Sequence, residues 1–198
     1  MNYIEKFEYD LAKYFNSPFA VCTDSCTHAI ELCLRLVRPT LKITVPARTY
    51  ISVPFTLIKL SLDWQFKDID WENYYYLNGT NIIDAAVYFQ KDSYVKNSLM
   101  CLSFQHKKAL SLGRGGAILC SKKQDYDLLK RMAWDGRDHT KLWKEQDIDV
   151  VGYHYYMTPE TAKLGSKKLK DVIPKAKQGS SDYPYLPEMK VFKQKTLK

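Results

Sequence analysis

Two lysines lie between a short apolar run and a glycine-rich bend in the middle of the chain. The apolar run from Leu99 to Leu102 predicts a buried strand, and Lys107 and Lys108 lie in the polar loop that follows it. Gly115 and Gly116 give the backbone the freedom for a tight bend before a second apolar run. Reactive groups are common at strand ends, so these amines are candidates for chemistry; a solvated surface lysine is the alternative.

A carboxylate and a Ser/Thr-rich turn are further candidates. Asp84 comes directly after two isoleucines, where an isolated carboxylate would be costly to bury, so we expect a partner for it; a helix cap or a surface aspartate is the alternative. Ser25, Cys26 and Thr27 precede an amphipathic stretch that predicts a helix. The N-terminus of a helix suits a phosphate, although Ser25 or Thr27 as a simple helix cap is the alternative.

The elements that must position these residues alternate between strands and helices. The stretch from Ile4 to Phe15 has helical spacing of apolar residues, and strand and helix patterns then alternate through the first 165 residues. This order predicts an α/β fold with three layers, a mostly parallel sheet flanked by helices, and a site at the carboxyl edge of the strands. We expect one domain over residues 1–170 and a lysine-rich, proline-containing tail over residues 171–198.

Charge and composition exclude several classes of function. The net charge is +8, but residues 163–198 carry ten lysines against three acidic residues, so the body is nearly neutral. Such a tail is typical of a solvated or disordered extension rather than of a nucleic-acid reader. The five cysteines include no CxxC pair, and we assign neither a disulfide nor a metal site, including at Asp68 and Asp70. No apolar run suits a membrane span and the N-terminus is too charged for a signal peptide, so we expect a cytoplasmic protein.

The lysine segment resembles a known family. The sequence SFQHKKALSLGRGG, from Ser103 to Gly116, resembles the SFxxxKxLxxGEGG segment of the DegT/DnrJ/EryC1/StrS family of sugar aminotransferases, which use pyridoxal 5'-phosphate. The resemblance places Lys108 on the lysine that forms the Schiff base, and Arg114 replaces the glutamate. It covers roughly residues 5 to 170 and implies the large domain of the fold type I transferases, with the small C-terminal domain missing.

Further motifs of the same family occur in order along the chain. TDSCTHA resembles SGTxA, with Cys26 in place of glycine, and IIDAAV resembles EDxAQ, with Val87 in place of the polar residue. The resemblance implies that the cofactor-binding residues are Ser25, Cys26, Thr27, Tyr50, Asp84, Ala86, Ser103 and His154. Within this set Tyr50 would stack on the cofactor ring, Asp84 would hold its protonated nitrogen, and His154 would approach the phosphate in a neighbouring subunit.

The function implied by the resemblance is transamination. An amino group would move from a donor such as glutamate to a nucleotide-linked keto-sugar through the Lys108 Schiff base, in a homodimer that shares its active sites. Two alternatives remain open. The first is a catalytically weak or inactive cofactor-binding or scaffold subunit that needs a partner chain. The second is a basic binding module that uses the lysine tail.

Overall fold

The structure, a computed structural model, describes residues 1–174 and 177–193. The helices are α1 (Tyr3–Phe15), α2 (Cys26–Val37), α3 (Ser52–Lys59), α4 (Lys123–Ala133), α5 (Pro159–Lys168) and α6 (Lys190–Lys193). The strands are β1 (Phe19–Thr23), β2 (Ile43–Pro46), β3 (Trp64–Lys67), β4 (Tyr75–Tyr76), β5 (Ile82–Asp84), β6 (Leu99–Ser103) and β7 (Gly116–Cys120). Helix α1 begins where the pattern predicts, because Asn2 and Glu5 form a capping box. In the described part of the chain no helix is both long and apolar enough to cross a membrane.

The strands form a mixed sheet, which confirms the α/β class and corrects the expected strand directions. A five-stranded sheet has the order β1-β7-β6-β5-β4, and a two-stranded parallel sheet pairs β2 with β3. In the larger sheet β5 and β6 are parallel, whereas β1, β4 and β7 each pair in antiparallel fashion. Because β7 is antiparallel to both β6 and β1, strands β1, β5 and β6 run in one direction and their carboxyl ends share one edge. Apolar runs predict strands without their direction, which explains the difference.

Both faces of the sheet are buried. Along β6 the side chains of Met100 and Leu102 belong to a core that is shared with α1 and α5. Leu99 and Cys101 alternate with them and belong to a second core, which is shared with α2 and α4. A strand that is covered on both faces reads as a continuous apolar run, as this one does.

The outer edge of β1 is covered by a buried ion pair. The backbone N–H of Cys22 donates to Glu8 Oε1 at 2.8 Å, and Lys130 Nζ donates to both carboxylate oxygens of Glu8 at 3.0 and 2.8 Å. Burial raises the pKa of Glu8. The charge of Lys130, its hydrogen bonds and the backbone N–H of Cys22 oppose that rise. The pair connects α1 to α4 around the strand edge, and it satisfies a backbone group there that would otherwise be open to another strand.

Residues 177–193 pack on the domain, which corrects the expected solvated extension for this part of the tail. Leu186 is 1% exposed, and Ser180 Oγ donates to Asp70 Oδ1 at 2.8 Å. The ring of Phe192 contacts the ring of Phe66 with centroids 5.1 Å apart. The high lysine content predicted a solvated tail, but the packing contacts are made by the serine, leucine and aromatic residues between the lysines. Residues 175, 176 and 194–198 of the predicted tail lie outside the described residues.

Candidate active site

A cavity of about 560 Å³ opens where β1, β5 and β6 end and α2 begins. The structure brings eight of the nine predicted site residues together in its lining: Ser25, Cys26, Thr27, Tyr50, Asp84, Ala86, Ser103 and Lys108. A concave space of this size suits a small-molecule ligand. In the described residues no group of three or more His, Cys, Asp or Glu side chains is arranged to hold a metal ion.

The start of α2 forms one end of the cavity, and its chemistry suits an anion. Ser25 is the N-cap of α2, and its Oγ accepts from the backbone N–H of His28 at 3.2 Å. Ser25 therefore both caps the helix and lines the cavity. Thr27 Oγ1 and Ser52 Oγ are hydrogen-bonded at 2.8 Å, which adds a second hydroxyl to this end. The first turn of a helix has N–H groups without intrahelical partners and carries a partial positive charge, so a phosphate fits here.

Asp84 lies at the end of β5 and is only 6% exposed. Its carboxylate accepts from Tyr75 Oη at 2.7 Å and from the backbone N–H of Ala86 at 3.0 Å. Burial raises the pKa of Asp84, although these hydrogen bonds and the charge of Lys108 oppose the rise. Its remaining environment includes the cavity, so a cation bound there would stabilise the ionised carboxylate. The protonated nitrogen of a pyridine ring is such a cation, and the residues present fit pyridoxal phosphate.

The lysine loop places two lysines in the lining of the cavity. Lys107 and Lys108 both line it, as does Ser103 at the end of β6. Burial raises the pKa of both Asp84 and Cys26, and the charge of Lys108 opposes that rise in each case. The resemblance in sequence favours Lys108 over Lys107 as the reactive lysine, and that assignment stays a prediction.

Two glycines of the loop allow a backbone conformation and a close approach that a side chain would prevent. Gly115 has a φ of +147°, in the region that favours glycine. A Cβ on Gly116 would lie 2.5 Å from the backbone N of Cys26, closer than any side chain tolerates. The absence of a side chain at Gly116 therefore lets β7 begin directly against the first turn of α2.

Arg114 joins the lysine loop to the turn before α2, a contact that the sequence did not predict. Its Nη2 donates to Asp24 Oδ2 at 2.7 Å, and its Nε donates to the Asp24 carbonyl oxygen at 3.3 Å. Asp24 Oδ1 also lies 2.6 Å from His28 Nδ1, and the His28 ring stacks on Tyr155 with centroids 3.6 Å apart. Burial acts to raise the pKa of Asp24, but the hydrogen bond to His28 and the charges of His28 and Arg114 hold it below its usual value.

His154 is the predicted residue that does not reach the cavity of its own chain. Its side chain is 73% exposed, with Nδ1 3.0 Å from Asp135 Oδ2 and Nε2 3.0 Å from Tyr156 Oη. The resemblance places it at a neighbouring subunit's cofactor, and that role stays a prediction.

Sequence reasoning missed the cavity residues of the C-terminal segment. Gln178, Asp182 and Tyr183 line the same space as Asp84 and Tyr50. No spacing in the sequence connects residues near 180 with a strand end near 84, so only a pattern of co-varying residues in related sequences could have revealed them.

Comparisons with known proteins match the chain to one family. Residues 1–90 and 85–180 match the sequence model of the DegT/DnrJ/EryC1/StrS aminotransferase family. No curated protein sequence matches the chain.

Solved structures show the same fold at low sequence identity. 3-Amino-5-hydroxybenzoic acid synthase has a TM-score of 0.73 at 18% identity, over 86% of this chain and 56% of its own. Spr1654 of Streptococcus pneumoniae, described as a sugar aminotransferase and solved in its PLP form, has a TM-score of 0.70 at 18% identity, over 87% of this chain and 60% of its own. DesI, solved with its TDP-sugar product, has a TM-score of 0.68 at 16% identity, over 85% of this chain and 52% of its own. The chain thus spans between half and two thirds of the length of these proteins.

Proposed function

The chain belongs to the DegT/DnrJ/EryC1/StrS aminotransferase family, and we propose that it moves an amino group from a donor such as glutamate to a nucleotide-linked keto-sugar. Pyridoxal 5'-phosphate is the cofactor that this membership indicates. The observation that carries the proposal is one cavity in which Lys108, the buried Asp84 and the start of α2 converge. The sugar substrate is supported by DesI, a structural neighbour that was solved with a TDP-sugar product.

Each part of the cavity suits one part of the cofactor. Ser25, Thr27 and Ser103, together with the backbone N–H groups at the start of α2, would hold the phosphate. Asp84 would hold the protonated ring nitrogen. Tyr50, which is 57% exposed at the cavity, would cover the ring face when the cofactor is bound, and such ring stacking contributes roughly 0.5–1.5 kcal/mol beyond area burial.

Buried hydrogen bonds fix the position of Asp84. Tyr75 Oη donates to its Oδ2, and the N–H of Ala86 donates to its Oδ1, so both oxygens are oriented before any ligand binds. A hydrogen-bonded carboxylate pairs with a cation at little cost of reorganisation. When bound, pyridoxal phosphate supplies an electron sink that stabilises negative charge on the α carbon of the donor, and Asp84 keeps that sink cationic.

Lys108 is proposed to hold the cofactor covalently and to move the proton. After displacement by a donor, its Nζ would act as a base that takes the proton from the α carbon of the donor and would then deliver it to the C4′ carbon of the cofactor. The place of Lys108 in the lining of the same cavity as Asp84 supports this role, because proton transfer requires an amine within hydrogen-bond reach of the reacting carbon. The resemblance also predicts a homodimer with shared sites, which sedimentation equilibrium tests directly.

An absorbance titration with pyridoxal phosphate tests the proposal. The wild type should develop a visible band that Lys108→Ala lacks and that Lys107→Ala keeps, since both lysines line the cavity but only Lys108 is proposed to bind covalently. Asp84→Asn should weaken binding without abolishing the band. Addition of glutamate should bleach the band, and a nucleotide-linked keto-sugar should restore it.

Other outcomes would contradict the proposal at separate points. A wild type without a visible band, or a band that survives in Lys108→Ala, would refute the cofactor site. A Lys108-dependent band that no amino donor bleaches would refute the transamination and favour a cofactor-binding chain without activity of its own.

A further inference from the structure

Residues 177–189 form a segment that we call the C-terminal strap, which is fixed to two separate loops. The backbone N–H of Asn73 donates to the Gln178 carbonyl oxygen at 2.8 Å, and that of Ser180 donates to the Trp71 carbonyl oxygen at 3.0 Å. Further along, the backbone N–H of Leu186 donates to the carbonyl oxygen of residue 47 at 2.9 Å. The strap is thus attached at two places, and these hydrogen bonds fix the position of the residues between them.

Between these attachments the strap forms one side of the cavity. Gln178, Asp182 and Tyr183 belong to the lining, together with Asp84 and Cys26. Asp182 Oδ2 accepts from the backbone N–H of Gly179 at 3.0 Å, which closes the turn that carries Tyr183.

The Tyr183 ring shares the cavity lining with Asp84 and is connected to it through two aromatic residues. It packs against Trp71 with centroids 5.6 Å apart, and Trp71 in turn packs against Tyr75, the residue that donates to Asp84. Burial raises the pKa of Tyr183 to about 12, and the charge of Asp84 adds to the rise. Tyr183 is therefore neutral at physiological pH.

We propose that Tyr183 is a positioning residue whose ring closes the cavity beside Asp84 and keeps water from that carboxylate. The inference rests on the proposed function, since the partner of Asp84 would be the protonated ring nitrogen of pyridoxal phosphate. An ion pair that is open to water is strongly screened, whereas the same pair in a dry site is much stronger. A ring that excludes water therefore raises both the affinity for the cofactor and the pH at which its ring nitrogen loses the proton.

Three substitutions separate this role from a general effect on the strap. Tyr183→Ala removes the ring and should raise the dissociation constant for pyridoxal phosphate by on the order of tenfold. Tyr183→Phe keeps the ring and should stay within about twofold of the wild type. Tyr185→Ala is the matched control, because Tyr185 lies on the same strap and packs on Arg48 at 4.9 Å but does not line the cavity.

A second readout follows the ring nitrogen itself. Nitrogen NMR of isotopically labelled pyridoxal phosphate bound to each variant should show deprotonation at lower pH in Tyr183→Ala, and at the wild-type pH in Tyr183→Phe and Tyr185→Ala. Equal affinity and equal deprotonation in all variants would overturn the inference. So would a loss in Tyr185→Ala as large as that in Tyr183→Ala, because the effect would then belong to the strap as a whole.

A third readout needs no cofactor. Cys26 lines the cavity near Asp84, whereas Cys22 is 3% exposed and lies elsewhere, so peptide mass spectrometry can compare their rates of alkylation by iodoacetamide. Tyr183→Ala should speed the alkylation of Cys26 relative to Cys22, and Tyr185→Ala should not. If the wild type binds no pyridoxal phosphate, the proposed function fails, and this rate alone decides whether Tyr183 closes the cavity. An unchanged rate in Tyr183→Ala overturns that closure.

Discussion

Replacing Lys130 with methionine should destabilise the fold strongly, because it leaves the Glu8 carboxylate buried without its cation. The Glu8 side chain is 4% exposed and that of Lys130 is 14% exposed, with the closer N–O distance 2.8 Å. Breaking a buried pair by removing one partner costs roughly 3–5 kcal/mol. Since Lys130 keeps some contact with solvent, we expect a loss near the lower limit, about 3 kcal/mol in the free energy of unfolding at neutral pH.

The loss should shrink as the pH falls. Burial raises the pKa of Glu8 above its unfolded value, and removal of Lys130 removes an effect that opposes the rise. The folded variant therefore takes up a proton at a higher pH than the unfolded chain does. Stability that depends on the protonated carboxyl is fully present below the unfolded pKa of about 4.3 and is lost as the pH rises through the folded pKa.

Urea unfolding at about pH 8 and about pH 5 measures both effects. Lys123→Met is the matched control, because Lys123 lies on the same helix but its pair with Asp127 is exposed, so it should cost less than about 0.5 kcal/mol at either pH. The double variant Glu8→Gln with Lys130→Met should recover part of the loss, since no buried charge remains. A loss below about 1 kcal/mol, or one that is the same at both pH values, would refute the reasoning.

Two further predictions concern the lysine loop. Gly116→Ala should weaken pyridoxal phosphate binding and lower stability by roughly 1–3 kcal/mol, because the new Cβ meets the backbone of Cys26. In Gly113→Ala the new Cβ meets nothing within 4 Å, so only the φ of +84° should lower the free energy of unfolding, by about 1–2 kcal/mol. The affinity of this variant for pyridoxal phosphate should be unchanged. Equal affinities in the Gly116 and Gly113 variants would contradict this reasoning. Arg114→Ala should weaken binding by loosening the loop from Asp24 while changing the urea midpoint little, because the Arg114 side chain is 72% exposed; a spectral titration that matches the wild type would show that the contact has no role.

Local sequence patterns predicted the parts of the site that depend on neighbouring residues. The apolar run before Lys108, the bend at Gly115 and Gly116 and the Ser25 cap are all set by residues within a few positions, and the structure has each of them. Eight predicted residues meet in one cavity because their strands end at the same edge. Their roles toward the cofactor remain predictions until the titrations are made.

The remaining features depend on contacts between distant parts of the chain. Arg114 and Asp24 are 90 positions apart, and neither the charge pattern nor the resemblance predicts that they pair. Tyr75 precedes Asp84 by nine positions, but its contact depends on β4 and β5 being antiparallel, which apolar runs do not specify. The strap is buried through a few residues that lie between its lysines. The many lysines led to the prediction of a solvated tail, and composition alone does not reveal the buried residues.

The attachment of the strap also has a consequence for the order of events during synthesis. Ser25 leaves the ribosome early, whereas Tyr183, on another side of the same cavity, is made more than 150 residues later. Chains fold progressively from the N-terminus as they are made, so the sheet and α2 form around a cavity that still has one open side. If Tyr183 closes the cavity as we propose, the nascent chain would reach full affinity for pyridoxal phosphate only after residues 177–189 have emerged from the ribosome and docked.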